Sequence, residues 1–111
     1  MSDYVDTEIL EGLREIMEEG FTELLEVFLR ESSIQHAQLQ LMWKSGERQA
    51  ILRLAHSLKG SCANIGAKTC AELASEVEKH AQYDHWDDVP SLLTALEREM
   101  TFAHEELSRL C

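Results

Sequence analysis

Residues 47–65, ERQAILRLAHSLKGSCANI, carry their apolar residues on one side of a helix of about five turns, and this pattern is the strongest indication of the fold. These residues recur every three or four positions, which favours an amphipathic helix over a strand. They are Ile51, Leu54, Ala55, Leu58, Cys62 and Ile65. Gly66 follows directly and suits the left-handed residue that ends many helices. We therefore predict a helix with a single buried face.

Four other segments have the same periodicity, and we predict helices at residues 7–19, 22–44, 67–82 and 88–110. Asp6 suits the cap of the first helix, and Pro90 is tolerated in the first turn of the last. No strand pattern of useful length occurs. Since the connections are short, the predicted fold class is all-α: an antiparallel four-helix bundle with a short additional N-terminal helix. We expect one domain over residues 1–111.

The same periodicity predicts which side chains point inward. In the first helix they are Ile9, Leu13, Ile16 and Met17. The second helix has an unusually wide stripe, typical of a helix with neighbours on more than one side: Phe21, Leu25, Phe28, Leu39 and Met42, widened by Leu24, Val27, Ile34 and Leu41. In the fourth they are Cys70, Leu73, Ala74, Val77 and Ala81. In the last they are Val89, Leu92, Leu93, Leu96, Met100, Ala103, Leu107 and Leu110.

The formal net charge of -11 argues against nucleic acid and anionic membranes as partners, because both require a basic surface. Residues 44–68 differ, with five basic side chains against one acidic side chain, which suits an anion or an acidic protein face. No signal peptide or membrane-length apolar run is present, and the three cysteines do not form a disulfide framework. Cys62 and Cys70 lie on apolar stripes, so we expect them to be small core residues. We expect a cytoplasmic protein.

His56 does not fit a purely structural interpretation of its helix. At about 100° per residue it lies nearly opposite the apolar stripe and should face solvent. Gly60 follows one turn later, where a glycine costs roughly 1 kcal/mol relative to alanine. The missing side chain would open the imidazole to a large partner, and Ala63 extends the clearing. Lys59 can reach the same space with its ammonium group.

Two further residues on this face suggest a protein contact. Leu52 is apolar on a surface that should be wet, and Arg53 adds a second cation. An exposed imidazole is a competent nucleophile near neutral pH, and a phosphoryl group on it would gain a counter-charge from Lys59. The chain has no phosphate-binding glycine loop and no kinase motif, so the remaining catalytic parts would come from a partner. These observations leave open the alternative that His56 is an ordinary surface histidine and that the neighbouring glycine is incidental.

Residues 55–67, AHSLKGSCANIGA, resemble the signature of histidine-containing phosphotransfer (HPt) domains, whose core is H-x-L-K-G followed by small residues and an apolar-glycine pair. The resemblance implies that His56 is phosphorylated, that Lys59 is the lysine beside it and that Gly60 clears access. It implies phosphoryl exchange with aspartates of receiver domains, which supply the magnesium ion, and no ATP-binding or autokinase activity. We expect Leu52, Arg53, Ala63 and Asn64 to contact the partner, and the chain to hold no cofactor or metal.

The chain resembles stand-alone bacterial HPt proteins; a domain trimmed from the front of a chemotaxis kinase is the alternative. For the oligomeric state, a monomer is the default expectation. A phosphorylation-independent adaptor that binds receiver domains through the same face is a second functional hypothesis. A helical metal or cofactor bundle is a third, but the inward stripes hold almost no ligands. His80 and His85 are five positions apart, which does not place both on one helix face.

Overall fold

The computed structural model describes residues 4–111. Its helices are α1 (Thr7–Met17), α2 (Phe21–Ser45), α3 (Arg48–Ile65), α4 (Lys68–Gln82) and α5 (Val89–Ser108), with a 3-10 turn at Glu18–Gly20 before α2. No strand occurs in this range. The long helices α2 to α5 form the four-helix bundle, and α1 covers one end. The predicted fold class is confirmed. No helix among the described residues combines the length and apolarity that a membrane crossing needs.

Helix α3 buries the side that its sequence predicts. Ile51, Ala55, Leu58 and Cys62 have no exposed surface, and Ile65 is nearly as buried. This face packs against α2 on one side and α4 on the other. Burying a side chain such as Leu58 stabilises the bundle by about 1.5–3 kcal/mol, so this row of side chains fixes the rotation of α3 about its axis.

Gly66 ends α3 and also joins it to the N-terminal segment. Its φ of 84° lies in the left-handed region, which favours glycine. Its carbonyl oxygen accepts a hydrogen bond of 2.7 Å from the backbone nitrogen of Asp6. Asp6 in turn caps α1, because its carboxylate accepts from the backbone nitrogens of Glu8 and Ile9. A β-carbon at Gly66 would lie 3.1 Å from the carbonyl oxygen of Asp6, so both conformation and space favour glycine there.

The predicted buried side of α1 is wrong for three of its four residues. Ile9, Ile16 and Met17 are exposed, whereas Leu10 is buried and Leu13 packs partly against the core. The helix ends at Met17, and only one edge of so short a helix reaches the end of the bundle. Its contact with the bundle is therefore narrower than its apolar composition predicts.

The wide apolar stripe predicted for α2 is also only partly buried. Phe21, Leu25, Phe28 and Leu39 are buried, and Leu24 and Met42 pack partly against the core. Val27, Ile34 and Leu41 are exposed, because α3 and α5 cover one broad side of α2 and leave this row outside. The inward residues of α4 and α5 are confirmed as core or core-packed, except Leu110, which follows the end of α5 and is exposed.

Candidate functional site

His56 lies near the middle of α3 and points away from the core. Its side chain is 68% exposed, although Ala55 and Leu58 on the same helix are fully buried. The exposure follows from the rotation that the buried row imposes on α3. The helical projection from the sequence therefore placed this histidine on the correct side.

The imidazole of His56 is held by a carboxylate on the neighbouring helix. Its Nδ1 atom lies 2.6 Å from Oε2 of Glu78 on α4. An ionised carboxylate can only accept, so Nδ1 carries the hydrogen and donates it. In the neutral ring this leaves Nε2 unprotonated, with a lone pair available for chemistry.

Glu78 binds a second cationic group with its other oxygen. Its Oε1 atom lies 2.7 Å from Nζ of Lys59, which is one turn after His56 on α3. Burial alone would raise the pKa of Glu78, but hydrogen bonds from Lys59 and His56 outweigh burial, and the pKa lies below its ordinary value. Glu78 is therefore ionised at neutral pH, and His56, Lys59 and Glu78 form one connected group.

Gly60 leaves open space beside the imidazole. A β-carbon built at this position would meet no atom within 4 Å. Ala63 and Asn64, further along α3, are exposed, so small side chains continue the clearing past His56. A partner surface has access to this part of α3 without displacing a bulky side chain.

The other predicted contact residues surround His56 on different sides. Leu52 is half-buried and Arg53 is exposed, one turn before it. Arg53 lines a cavity of about 260 Å³ between α2 and α3 instead of joining the Lys59–Glu78 pair. Asn64 lines a larger cavity of about 280 Å³ together with residues of α1 and α2. The predicted residues thus share one face of α3, but they do not form one cluster.

Some basic side chains of residues 44–68 already interact with other groups of the bundle. The Arg48 guanidinium stacks over the Trp43 ring at 4.2 Å and the Trp86 ring at 4.9 Å, at the end of the bundle where the α2–α3 and α4–α5 connections meet. Lys59 is paired with Glu78. Two of the five cations therefore already have structural partners.

His80, Cys62 and Cys70 each interact with neighbouring groups of the bundle. His80 donates its Nδ1 hydrogen to the Glu76 carbonyl oxygen at 2.9 Å, and its Nε2 lies 3.7 Å from a carboxylate oxygen of Asp88. Residues 4–111 contain no group of three or more histidine, cysteine, aspartate or glutamate side chains placed to hold a metal. Cys62 and Cys70 are buried free thiols, and hydrogen bonding between them, with burial, raises the pKa of Cys62.

Glu78 is the site residue that the sequence analysis missed. The signal that identifies it is positional: His56 and Glu78 are each 11 residues from Ala67, in the turn between α3 and α4. In an antiparallel helical hairpin, residues at equal distances from the turn lie side by side. An acidic residue at this mirror position was therefore detectable once the hairpin had been placed.

Comparisons with known proteins agree on one family. A protein-family model described as "Hpt domain" matches residues 23–108. The crystal structure of histidine-containing phosphotransfer protein B (HptB) from Pseudomonas aeruginosa PAO1 matches with a TM-score of 0.95 and 28% sequence identity, over 98% of this chain and 95% of that chain. No curated protein sequence matches this chain.

Proposed function

Because this chain belongs to the Hpt domain family, we propose that it is a phosphorelay intermediate of a two-component system and carries a phosphoryl group on His56. Members of this family take part in histidine phosphotransfer, and HptB is named as a histidine-containing phosphotransfer protein. The observation that supports His56 as the carrier is its exposed ring, held through Nδ1 by Glu78.

In the proposed transfer, Nε2 of His56 attacks the phosphorus of a phosphorylated aspartate on a receiver domain. The nitrogen–phosphorus bond forms, the bond between phosphorus and the aspartate oxygen breaks, and the aspartate leaves as a carboxylate. The ring keeps its proton on Nδ1 and becomes positively charged as the bond forms. Glu78, at 2.6 Å, stabilises that charge through a charge-assisted hydrogen bond. The reverse sequence returns the phosphoryl group to the aspartate of a second receiver.

Lys59 supplies the positive charge on this side of the transfer. Its Nζ is 2.7 Å from Glu78 and its side chain is 36% exposed, so it is held near the ring without being buried. A phosphoryl group on the ring brings negative charge close to Glu78, and Lys59 offsets the repulsion between the two anions. This role depends on the charge of the lysine ammonium group, whereas the stability of the bundle does not depend on Lys59.

The partner supplies the rest of the chemistry. Phosphoryl transfer requires a divalent cation that neutralises developing charge, and we assign magnesium to the receiver domain. This chain is then a phosphocarrier that neither binds ATP nor phosphorylates itself, with no cofactor of its own. We propose that it acts in the cytoplasm as a monomer, where receiver domains of hybrid sensor kinases and response regulators are its partners.

The receiver is proposed to dock on the exposed face of α3. Gly60 and Ala63 provide the clearing beside His56, and Leu52, Arg53 and Asn64 lie around it. A standard interface covers about 800 Å² on each partner, which is far more than one imidazole. These neighbours therefore fall within the area that any stably docked receiver would cover.

Transfer from a phosphorylated receiver domain, with magnesium, tests this proposal on the wild type, on His56→Gln and on the control His85→Gln, which alters an exposed histidine outside α3. We expect base-stable, acid-labile label on the wild type and the control, and none on His56→Gln. If the protein is an adaptor, the wild type and His56→Gln would bind the receiver equally well, and none of the three proteins would take up label. Equal label on all three proteins would show that His56 is not the carrier.

A further inference from the structure

A second group of polar side chains lies between α2 and α5, away from the face that carries His56. His36 on α2 and His104 on α5 line a cavity of about 200 Å³ there. The other lining residues are Ser33, Glu97, Met100 and Thr101, so α2 and α5 supply all of the lining. Glu97 is the charged side chain among them. Helices α3 and α4 contribute no residue to the lining of this cavity.

The neutral form of His104 fits its surroundings. The hydroxyl of Ser32, which is 1% exposed, donates to the Phe28 carbonyl oxygen at 2.6 Å. Its oxygen therefore accepts the Nε2 hydrogen of His104, at 2.9 Å. This bond joins α5 to α2. A second proton would have to go to Nδ1, which has only the Ser33 oxygen at 3.5 Å to receive it.

His36 is less able to accept a proton. Its Nε2 atom is buried and has no hydrogen-bond partner in the described structure. A proton there would be a buried donor without an acceptor, which is costly. Burial lowers the pKa of His36 more than the Glu97 carboxylate raises it. Burial, together with the neighbouring His36, also lowers the pKa of His104.

We propose that His36 and His104 form an acid-sensitive lock between α2 and α5, closed while both rings are neutral and opened when acid protonates them. Two cations would then repel each other across the seam, with Glu97 as the counter-charge. The adjacent Gln35 donates to the Ser57 hydroxyl on α3 at 2.9 Å, so a displaced α2 would also lose a bond beside His56. The lock itself does not require that His56 carries a phosphoryl group.

The direction of the pH effect follows from proton binding. In the unfolded chain both histidines titrate near their ordinary pKa of about 6.5, whereas in the folded protein they titrate lower. Below about pH 6.5 the unfolded chain therefore binds more protons. The contribution of the two histidines to the free energy of unfolding is complete above that pH. It is lost as the pH falls toward their pKa values in the folded protein. In this window, each histidine raises the unfolding equilibrium constant by up to about 10-fold for every unit by which the pH falls.

Histidine proton NMR titration of the folded wild-type protein provides the first test and needs no variant. We expect both rings to titrate below 6.5, and the pKa of His104 to rise in His36→Gln, because the repelling neighbour is gone. Titration of both rings at or above 6.5 would overturn the proposal.

Urea unfolding between pH 7.5 and 5 provides the second test, on the wild type, His36→Gln/His104→Gln and the control His85→Gln. Glutamine at position 104 keeps an N–H that can donate to Ser32. We expect the wild type and the control to lose stability steeply below pH 6.5 and the double variant to show a flatter dependence. The same pH dependence in all three would overturn the lock.

Discussion

His56 and Glu78 meet across the α3–α4 hairpin, with Nδ1 of the imidazole 2.6 Å from Oε2 of the carboxylate. The two residues belong to different helices, so the hydrogen bond depends on the packing of the hairpin. The same carboxylate binds Lys59, and the ring nitrogen left without a hydrogen in the neutral form is Nε2. Orientation of the ring and compensation of its charge therefore have a common origin in Glu78.

Replacing Glu78 by glutamine should slow transfer without preventing receiver binding. The amide can still accept from Nδ1, but it carries no charge to stabilise the cationic ring. A hydrogen bond to a charged group contributes about 1.5–3 kcal/mol, so we expect a decrease of roughly 10- to 100-fold in the single-turnover rate. Glu72→Gln, an exposed position on the same helix, is the matched control. Equal rates for both variants and the wild type would remove Glu78 from the mechanism.

Replacing Lys59 by alanine should slow transfer or shorten the lifetime of the phosphorylated protein. The bundle should remain folded, with its free energy of unfolding changed by about 0.5 kcal/mol or less, because the Lys59–Glu78 bridge is partly exposed. Lys68→Ala removes an exposed lysine at the start of α4 and serves as the control. Decay of radiolabel and urea unfolding measure the two effects. A Lys59→Ala protein with wild-type transfer and decay would contradict the proposed role.

Two substitutions at Gly60 separate helix stability from access. Alanine fits, since its β-carbon meets nothing within 4 Å, and should stabilise the protein by about 1 kcal/mol while transfer continues. Phenylalanine should fill the clearing and block docking, with helix content largely unchanged by circular dichroism. Gly12→Ala in α1, where space is also open, reports the effect of alanine away from the site. Normal transfer by Gly60→Phe would refute the access argument.

Replacing Leu52 by glutamate should weaken receiver binding. The side chain is half-buried on α3 and is not among those packed against the core, so its apolar surface is available to a partner. Leu41→Glu places the same change on α2, where the leucine is 59% exposed. We expect calorimetric titration with a receiver domain to show a higher Kd for Leu52→Glu only. Unchanged affinity would exclude Leu52 from the interface.

The sequence was sufficient to place α3 and to orient His56. The buried row of α3 is regular, and Gly66 ends the helix in a conformation that few other residues adopt, so the local pattern agrees with the tertiary packing. The resemblance of residues 55–67 to HPt domains then carried the family assignment, which the match over residues 23–108 confirmed.

Local pattern was insufficient where packing by distant elements decides burial. Apolar side chains on α1 and α2 predicted buried faces, yet Ile16 is 79% exposed and Ile34 is 49% exposed. Periodicity identifies the apolar side of a helix, but it does not say how much of that side its neighbours cover. Glu78 was missed for a related reason, because its partner His56 is 22 residues away and adjacent only after the hairpin forms.

If Nε2 of His56 carries the phosphoryl group, the phosphorylated atom can be identified by spectroscopy. The protein would be phosphorylated by a receiver domain and examined by ³¹P and ¹H–¹⁵N NMR with labelled histidine. We predict one phosphohistidine, at position 56 and with phosphorus on Nε2, while Nδ1 keeps its hydrogen. Phosphorus on Nδ1, or on any residue other than His56, would contradict the account.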